Sequence, residues 1–308
     1  MTPQERDAWK ALLADRALGD YDTGNYLGGG EFGLVFDGRE RATGDVVALK
    51  VLLPGAPHDS VAEFQNEGEL LGQLQKASGV VDLLRSTTTS IEVESSGIRV
   101  PLQVHFHALE LATGCLEELL IDEHQRSRLA WSERLALWRG VILGVHQMHL
   151  KQIAHRDIKS SNCLLHVKRK AEPIAKVSDL GRSRDLKEPA RLSVQDYLAG
   201  RGDLRFAPPE FLRWQGEETP QAHKCADLYG LGSLLFELAT GVGITHLALG
   251  FGPTLIRQTL TDRRRGGMID LSTLRPRYDS AYNLFASALR MSRVPWNFGG
   301  GPLIVRPR

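Results

Sequence analysis

Two hydrophobic rhythms divide this chain. Between residues 26 and 50, apolar positions alternate with turns, as in an antiparallel meander. Asn25-Tyr26-Leu27 leads into a glycine cluster and Leu34-Val35-Phe36 follows. Arg41-Ala42-Thr43-Gly44-Asp45 makes a hairpin turn, and Val46-Val47-Ala48-Leu49-Lys50-Val51 is a strand. Residues 61–75 carry Phe64, Leu70, Leu71 and Leu74 at helical spacing. Strand-like stretches return near 80–88 and 98–111. Beyond Ala112-Thr113-Gly114 the period becomes helical. One helix begins at Leu116, and a long one runs from Trp131 to Leu150 with an apolar stripe of Leu135, Trp138, Val141, Ile142, Val145 and Met148. Ahead of the meander, Thr2-Pro3-Gln4-Glu5 reads as a helix start, with a cap, a first-turn proline and a capping-box glutamate, and predicts a helix to about Leu18. Strands with one helix, a short connection and then mostly helices predict an α+β protein: a small sheet lobe hinged to a larger helical lobe.

Composition narrows the picture. With 308 residues, 42% of them hydrophobic, the chain can fold as one large two-lobed domain or two ordinary ones. Lys+Arg at 38 against Asp+Glu at 37 give no global electrostatic case for nucleic acid or an anionic membrane. The basic cluster Lys168-Arg169-Lys170, followed by Glu172, reads as a solvated hairpin tip. Cys115, Cys163 and Cys225 form no disulfide framework and match no zinc spacing, so a reducing compartment is expected. The N-terminus opens no secretory signal, and a cytoplasmic location follows as the expectation. The nearly apolar stretch 230–252 is interrupted by Glu237, His246 and several glycines. A charge in mid-span is costly in lipid, so a buried core helix followed by a loop is predicted here and no transmembrane segment.

The chemistry concentrates in a few short motifs. His155-Arg156-Asp157-Ile158-Lys159-Ser160-Ser161-Asn162 places an acid, an ammonium and an amide at fixed offsets. Phosphoryl transfer needs that set: a carboxylate for the hydroxyl proton, a cation near the moving group and an amide oxygen for a metal. Gly28-Gly29-Gly30-Glu31-Phe32-Gly33-Leu34-Val35 fits G-x-G-x-x-G-x-V, in which glycines let backbone approach a polyphosphate. A dinucleotide-binding reading would need a helix after the glycines, but Leu34-Val35-Phe36 continues as strand. Lys50 ends a strand, and Glu67 lies 17 residues on, in the helix holding Phe64 and Leu71. Glu67 is the preferred ion-pair partner because Leu71, one turn on, shares its face toward the core; Glu63 and Glu69 are the alternatives. Asp179 follows the strand Ala175-Lys176-Val177. With Asn162 it supplies the hard oxygen ligands that magnesium takes beside phosphates and water.

Taken together, these residues resemble the signatures of a eukaryotic-type protein kinase of the serine/threonine class, over about residues 26–241. The resemblance implies a bilobal kinase-like fold, with an N-terminal helical extension (1–22), an N-lobe (23–111) with an antiparallel sheet and one helix, and a mainly helical C-lobe (112–308), atypical after about 241. It implies that Gly28, Gly30 and Gly33 cover the ATP phosphates and that Lys50 contacts them and pairs with Glu67. Asp157 would be the catalytic base, Lys159 the stabiliser of the transferred group, and Asn162 and Asp179 the Mg2+ ligands. Leu109 resembles a gatekeeper, Glu110 and Ala112 would offer backbone groups to adenine, and Val35, Ala48 and Leu164 would sandwich the ring. Asp227 would support the catalytic loop, and His155 would pack with Leu71 and Leu180 and not act as a ligand.

Some positions depart from the family pattern. Leu180 replaces a phenylalanine and Pro208 an alanine before Pro209-Glu210. Asp203 falls where a threonine is usual, near Lys159 and Asp157. Cys115 takes the place of an acidic residue that often meets the ribose. Arg275, Arg277 and Arg290 are the candidates for pairing with Glu210. The function implied is ATP- and Mg2+-dependent phosphorylation of serine or threonine on a protein substrate. Arg156 implies regulation through the activation segment, with Ser183, Ser193 and Tyr197 as phosphorylation candidates, Ser193 foremost, and transient self-association for autophosphorylation. Asp196 or Glu188 meeting Arg156 directly is the alternative there. A pseudokinase scaffold that binds nucleotide or partners without efficient catalysis is the competing function. A small-molecule kinase is a third, disfavoured by the extended segment ending in Pro209-Glu210.

Overall fold

The computed structural model of the protein describes residues 2–30, 33–95, 97–167, 172–188, 205–213, 215–250, 257–258, 261 and 270–291. Helix α1 (Pro3–Leu13) starts as its sequence dictates. Thr2 Oγ1 accepts from the Glu5 N–H at 3.2 Å, and the Glu5 carboxylate accepts from the Thr2 N–H at 2.7 Å. The helix stops at Leu13 instead of continuing to about Leu18. Ala14 is extended and Asp15 adopts a φ of 52°. Ala17–Leu18 (β1) then turns at Gly19 to pair with Tyr21–Gly29 (β2). Leu18 reaches the core as a strand residue, which satisfies its burial as well as a longer helix would have done.

Strands β3 (Gly33–Glu40), β4 (Val46–Leu52), β5 (Leu83–Ser95) and β6 (Ile98–Glu110) complete a six-stranded antiparallel sheet in the order β1-β2-β3-β4-β6-β5. The expected strand near 80–88 starts later and runs further; Val80 itself makes only an isolated bridge to Val177. Alternation gives the sheet two distinct faces. Val35 and Ala48 join a cluster with Leu70 and Leu71 of helix α2 (His58–Gln73) that continues into the other lobe. Leu34, Phe36, Val47, Leu49 and Val51 face the opposite way, into a second cluster roofed by Leu13, Leu18 and Trp9. The N-terminal extension therefore shares the small lobe's core.

After β6 the chain turns helical. It runs through β7 (Gly114–Cys115), α3 (Leu116–Ile121), α4 (Glu123–Arg128) and α5 (Trp131–Leu150), then β8 (Ile153–Ala154), a 3-10 turn at Ser160–Asn162, β9 (Cys163–His166), β10 (Ile174–Val177) and β11 (Arg184–Asp185). Helices α6 (Pro209–Leu212), α7 (Pro220–Thr240), α8 (Ile244–Leu249) and α9 (Arg275–Met291) follow. Helix α4, capped by Asp122, carries no buried residue and so left no hydrophobic period to read. The apolar stretch 230–252 becomes the buried half of α7 and the short helix α8, where a loop was expected; Glu237 lies inside, its carboxylate accepting from Ser160 Oγ at 3.1 Å. Among the described residues, no helix is long and apolar enough to cross a membrane. Beyond residue 241, Ala248, Leu249, Leu274 and Ala281 pack with Leu212 and Phe236 in a third cluster.

The lobes are stitched together where α2 ends. The Val177 N–H donates to the Gly79 carbonyl at 2.8 Å, and the Val81 N–H to the Val177 carbonyl at 2.9 Å. Gly79 has a φ of 81°, and a Cβ there would lie 2.4 Å from the Gly144 nitrogen and 2.6 Å from the Gly140 oxygen, both in α5. Both the backbone conformation and the lack of space demand glycine. Gly79→Ala is therefore expected to destabilise the protein by about 3 kcal/mol in urea unfolding, the scale of overpacking added to backbone strain; a loss below about 1 kcal/mol would show that this seam yields.

Candidate active site

The loop after β8 is held from beneath. Asp227 in α7, 1% exposed, accepts from the backbone N–H of His155 at 2.8 Å and of Arg156 at 2.6 Å, and from His149 Nε2 at 2.8 Å. These bonds fix Arg156 at a φ of 69°, a conformation that costs energy outside glycine. His155 is fully buried. Its Nε2–H donates to the Ser178 carbonyl at 3.0 Å, and its Nδ1 accepts from the Asp157 N–H at 3.2 Å. Those two bonds set its tautomer and occupy both nitrogens, so it packs and positions.

The loop presents Asp157, Lys159 and Asn162 together. Asp157 Oδ2 lies 2.9 Å from Lys159 Nζ and 3.2 Å from Asn162 Nδ2. Asn162 Nδ2 also donates to the Asp157 carbonyl at 2.9 Å, which places its Oδ1 at the far end of the amide. Arg182 Nη1 stands 3.9 Å from the same Asp157 oxygen.

A second charged group faces it. Lys50, on the cleft side of β4, contacts Glu67 Oε2 at 2.6 Å and Asp179 Oδ1 at 3.0 Å. Glu67, and neither Glu63 nor Glu69, makes that pair, because it lies on the α2 face bearing Leu70 and Leu71. Burial works against the Lys50 ammonium, but the carboxylates of Asp179 and Glu67 hold its proton well above the ordinary lysine range. Lys50 in turn pushes the Asp179 carboxyl down to about 2. Burial pushes the Glu67 carboxyl up, against the pull of Lys50. Asp179 sits at a φ of 60°. The segment after it is clamped by Asn66 of α2, whose Nδ2 donates to the carbonyls of Gly181 at 3.0 Å and Ser183 at 2.9 Å.

The glycine hairpin β2–β3 forms one edge of the sheet lobe. A Cβ added at Gly28 or Gly30 would meet nothing within 4 Å, so both face open space, and one at Gly33 would lie 3.5 Å from the Val51 oxygen. Gly29, which the motif leaves unspecified, is the one the hairpin itself requires: a Cβ there would lie 2.3 Å from the Gly33 carbonyl. Val35, Ala48, Leu109 and Leu164 fall in one cluster bridging the lobes. At the connection, the Glu110 N–H donates to the Asp82 carbonyl at 3.0 Å, and its carboxylate accepts from the Asp82 N–H at 2.9 Å and from Lys176. Glu110 is thus pinned through its own side chain, and Ala112 follows it in the short link between the lobes. Cys115 sits at the mouth of α3, its thiol pushed up by burial.

Asn162 and Asp179 reach the cleft from the two loops, and among the described residues no group of three or more His, Cys, Asp or Glu side chains could hold a metal alone. That donor set fits magnesium, which takes few protein oxygens and shares the rest with phosphates and water. The open face at Gly28 and Gly30 fits a polyphosphate equally well.

Several groups near the site carry no sequence signature. Asn66 and Arg182 are two. Beneath Arg156 lies a third set: Arg184 Nη1 reaches Glu218 Oε2 at 2.9 Å and His223 Nε2 at 2.8 Å. His223 is fully buried and its pKa is pushed to about 4, first by burial and then by Arg156 and Arg184. Ser183 is also buried, its hydroxyl donating to the His155 carbonyl at 3.2 Å, so it offers no exposed acceptor. Ser193, Asp196, Tyr197, Asp203 and the cluster Lys168–Lys170 lie outside the described residues. Of the arginines expected to meet Glu210, Arg275 instead faces Asp279 at 3.9 Å; burial pushes the Glu210 carboxyl up.

Comparison with known proteins agrees with this geometry. A sequence profile of the protein kinase domain matches residues 21–248. Among relatives from Arabidopsis thaliana, a G-type lectin S-receptor-like serine/threonine-protein kinase is 29% identical over 259 residues, covering 83% of this chain and 29% of that protein. Calcium/calmodulin-regulated receptor-like kinase 1 is 29% identical over 276 residues, covering 86% of this chain and 56% of its own length. Cysteine-rich receptor-like protein kinase 2 is 28% identical over 236 residues, covering 76% and 32%. The chain thus spans between about a quarter and just over half of the length of such relatives. With the profile covering most of the chain, and both lobes and the paired charged loops in place, the protein belongs to the protein kinase domain family.

Proposed function

We propose that this protein transfers the γ-phosphoryl group of ATP, with Mg2+, to serine or threonine hydroxyls of a protein substrate. The observation that carries the reading is the convergence of two loops: Asp157, Lys159 and Asn162 on one, and Asp179, held by Lys50, on the other. In this reading Gly28, Gly30 and Gly33 lie over the phosphates, and Lys50, aimed by Glu67, contacts them. Val35, Ala48, Leu109 and Leu164 enclose the adenine, with backbone groups of Glu110 and Ala112 at its edge. Asp157 orients the incoming hydroxyl and takes its proton, while Lys159 offsets charge on the moving group. Bound at Asn162 and Asp179, magnesium would neutralise phosphate charge. Serine/threonine specificity rests on Lys159 and on the names of relatives such as the G-type lectin S-receptor-like serine/threonine-protein kinases.

Regulation through the activation segment belongs to the same reading. Arg184, near the start of that segment, meets Glu218 and the neutral His223, with Arg156 close enough to depress the His223 pKa. In this reading a phosphate on Ser193, acquired within a transient pair of molecules, is met by Arg156. The three cysteines are free thiols, in keeping with a reducing, cytoplasmic setting.

One observation favours a second reading. Arg182 and Lys159 both approach the single oxygen Asp157 Oδ2, and a base so crowded by cations suits a nucleotide-binding scaffold with weak catalysis. Incubation with γ-labelled ATP and Mg2+ separates the two. The expected result is label on serine or threonine after acid hydrolysis, with Ser193 as the mapped position by mass spectrometry. A protein that binds the nucleotide but transfers no label to itself or to a mixed protein substrate is a scaffold.

A further inference from the structure

The N-terminal helix reaches the glycine hairpin, and nothing in the transfer chemistry accounts for that contact. Residues 6, 9, 10 and 13 of α1 share one helical stripe. Trp9 and Leu13 pack into the core cluster on the outer face of the sheet. Arg6 and Lys10, which flank Trp9, reach over the hairpin. Arg6 Nη2 donates to the Gly30 carbonyl at 2.6 Å, and Lys10 Nζ stands 4.4 Å from the centroid of the Tyr26 ring, which meets Phe36 edge-on at 5.8 Å.

The hairpin needs an anchor at this spot. Register shifts between Thr23 and Tyr26, and again between Tyr26 and Gly28, interrupt the β2–β3 ladder just before the turn. Within the first break, Asn25 is tied to Asp37 by its N–H at 2.6 Å and its side-chain amide at 3.1 Å. Gly30 lies beyond that clasp and has no side chain of its own with which to hold a position. Its backbone carbonyl is the remaining handle, and a carbonyl free to swing into the cleft would oppose phosphate oxygens with like charge.

We propose that α1 is a brace for the glycine hairpin and that Arg6 is a positioning residue for nucleotide phosphates, holding the Gly30 carbonyl toward α1 and the end of β2 at a fixed height over the cleft. The proposal deepens the ATP reading and rests on it. Because the brace acts through the phosphates, it discriminates between nucleotides that carry them and nucleosides that do not.

The test uses the full chain with Arg6→Ala, Arg6→Lys and Lys10→Met, and with Gln4→Ala on an exposed position of the same helix. Calorimetric titration with a nonhydrolysable ATP analogue plus Mg2+, and with adenosine, is paired with the KM for ATP and with kcat. Arg6→Ala is expected to weaken the analogue and raise KM by about fivefold, the scale of one charge-assisted hydrogen bond at a partly exposed site. Adenosine affinity, kcat and the melting temperature should stay close to wild type. Arg6→Lys should recover most of the loss, Lys10→Met should lose about twofold, and Gln4→Ala should match wild type. Equal weakening of adenosine and analogue, or unchanged analogue affinity in Arg6→Ala, overturns the brace while leaving the ATP reading intact. A wild-type protein that binds no analogue overturns both.

Discussion

Replacing Asp157 by asparagine is expected to slow phosphoryl transfer by about a thousandfold or more while leaving nucleotide affinity within about threefold. The substitution keeps the size of the side chain, and Asp227 still holds the loop through His155 and Arg156, so the fold has no reason to change. What disappears is the carboxylate that, in the proposed mechanism, receives the hydroxyl proton. Lys159 and Arg182 then lose their shared counter-charge and turn toward other acceptors. In the reading proposed above, the nucleotide is held by the sheet lobe, Asp179 and Leu164, and Asp157 reaches it only through Asn162, whose amide an asparagine at 157 can still meet through its backbone carbonyl. Single-turnover transfer and calorimetric nucleotide titration on the same preparations measure the two quantities. Equal transfer rates in wild type and Asp157→Asn would remove Asp157 from the chemistry, and a parallel collapse of affinity would make its role structural.

Lys50→Met is expected to reduce both activity and stability, and the two can be separated by a second substitution. Loss of the ammonium leaves Glu67, 2% exposed, as a buried carboxylate without its cation. Breaking a buried pair from one side costs about 3 kcal/mol, and loss of a cation aimed at the phosphates costs about a hundredfold in rate. Adding Glu67→Leu removes the buried stranded charge; Asp179, the other partner of Lys50, is half-exposed and is left to solvent. The double variant should recover to within about 1 kcal/mol of wild-type stability and recover none of the activity. Urea unfolding and γ-phosphoryl transfer assays check this. A double variant that regains activity would reduce the ion pair to a structural tie.

The pH dependence of the single variant has a definite sign. Burial raises the folded-state pKa of Glu67 above its ordinary value of 4.5, so the folded protein binds that proton more tightly than the unfolded chain does. The deficit of Lys50→Met is therefore full at neutral pH and shrinks as pH falls through the raised value. In the wild-type protein Asp179 behaves oppositely. Its carboxyl, held at about 2 by Lys50, contributes stability that is complete above the ordinary value of 3.8 and is lost only as pH falls toward 2; Lys50→Met removes that contribution.

What the sequence revealed and what it hid follow from how far apart the partners lie. Period alone located α5, because a buried stripe on a 20-residue helix is a long signal. Leu18 misled because the cap, proline and capping-box glutamate fix where α1 starts and say nothing of where it stops, and only pairing with Tyr21 shows that Leu18 is a strand residue. Strand β5 was cut short because Arg85–Ser90 is polar on its open edge; its true length is set by its neighbour β6. Within the site, Lys50 and Glu67 were legible because a strand and the next helix have few ways to meet. Asn66 was not: its acceptors lie 115 and 117 residues later, and an asparagine beside a glutamate carries no pattern. Arg184, Glu218 and His223 were hidden for the same reason, since their meeting depends on how α7 docks and on no local spacing.

The contact between Gly79 and α5, six residues past Gln73, anchors the chain that leaves α2 and so restrains that end of the helix and not the other. Glu67 stands about 10 Å along the helix from that fixed end, at 1.5 Å per residue. A tilt of roughly 20° about the pin would sweep the carboxylate by about 3–4 Å over that arm, enough to part it from Lys50 at 2.6 Å. The small lobe is in this sense a crank whose throw matches the reach of one ion pair. Pressure applied near His58 and Asp59, farthest from the pivot, has the greatest leverage over whether the lysine is aimed.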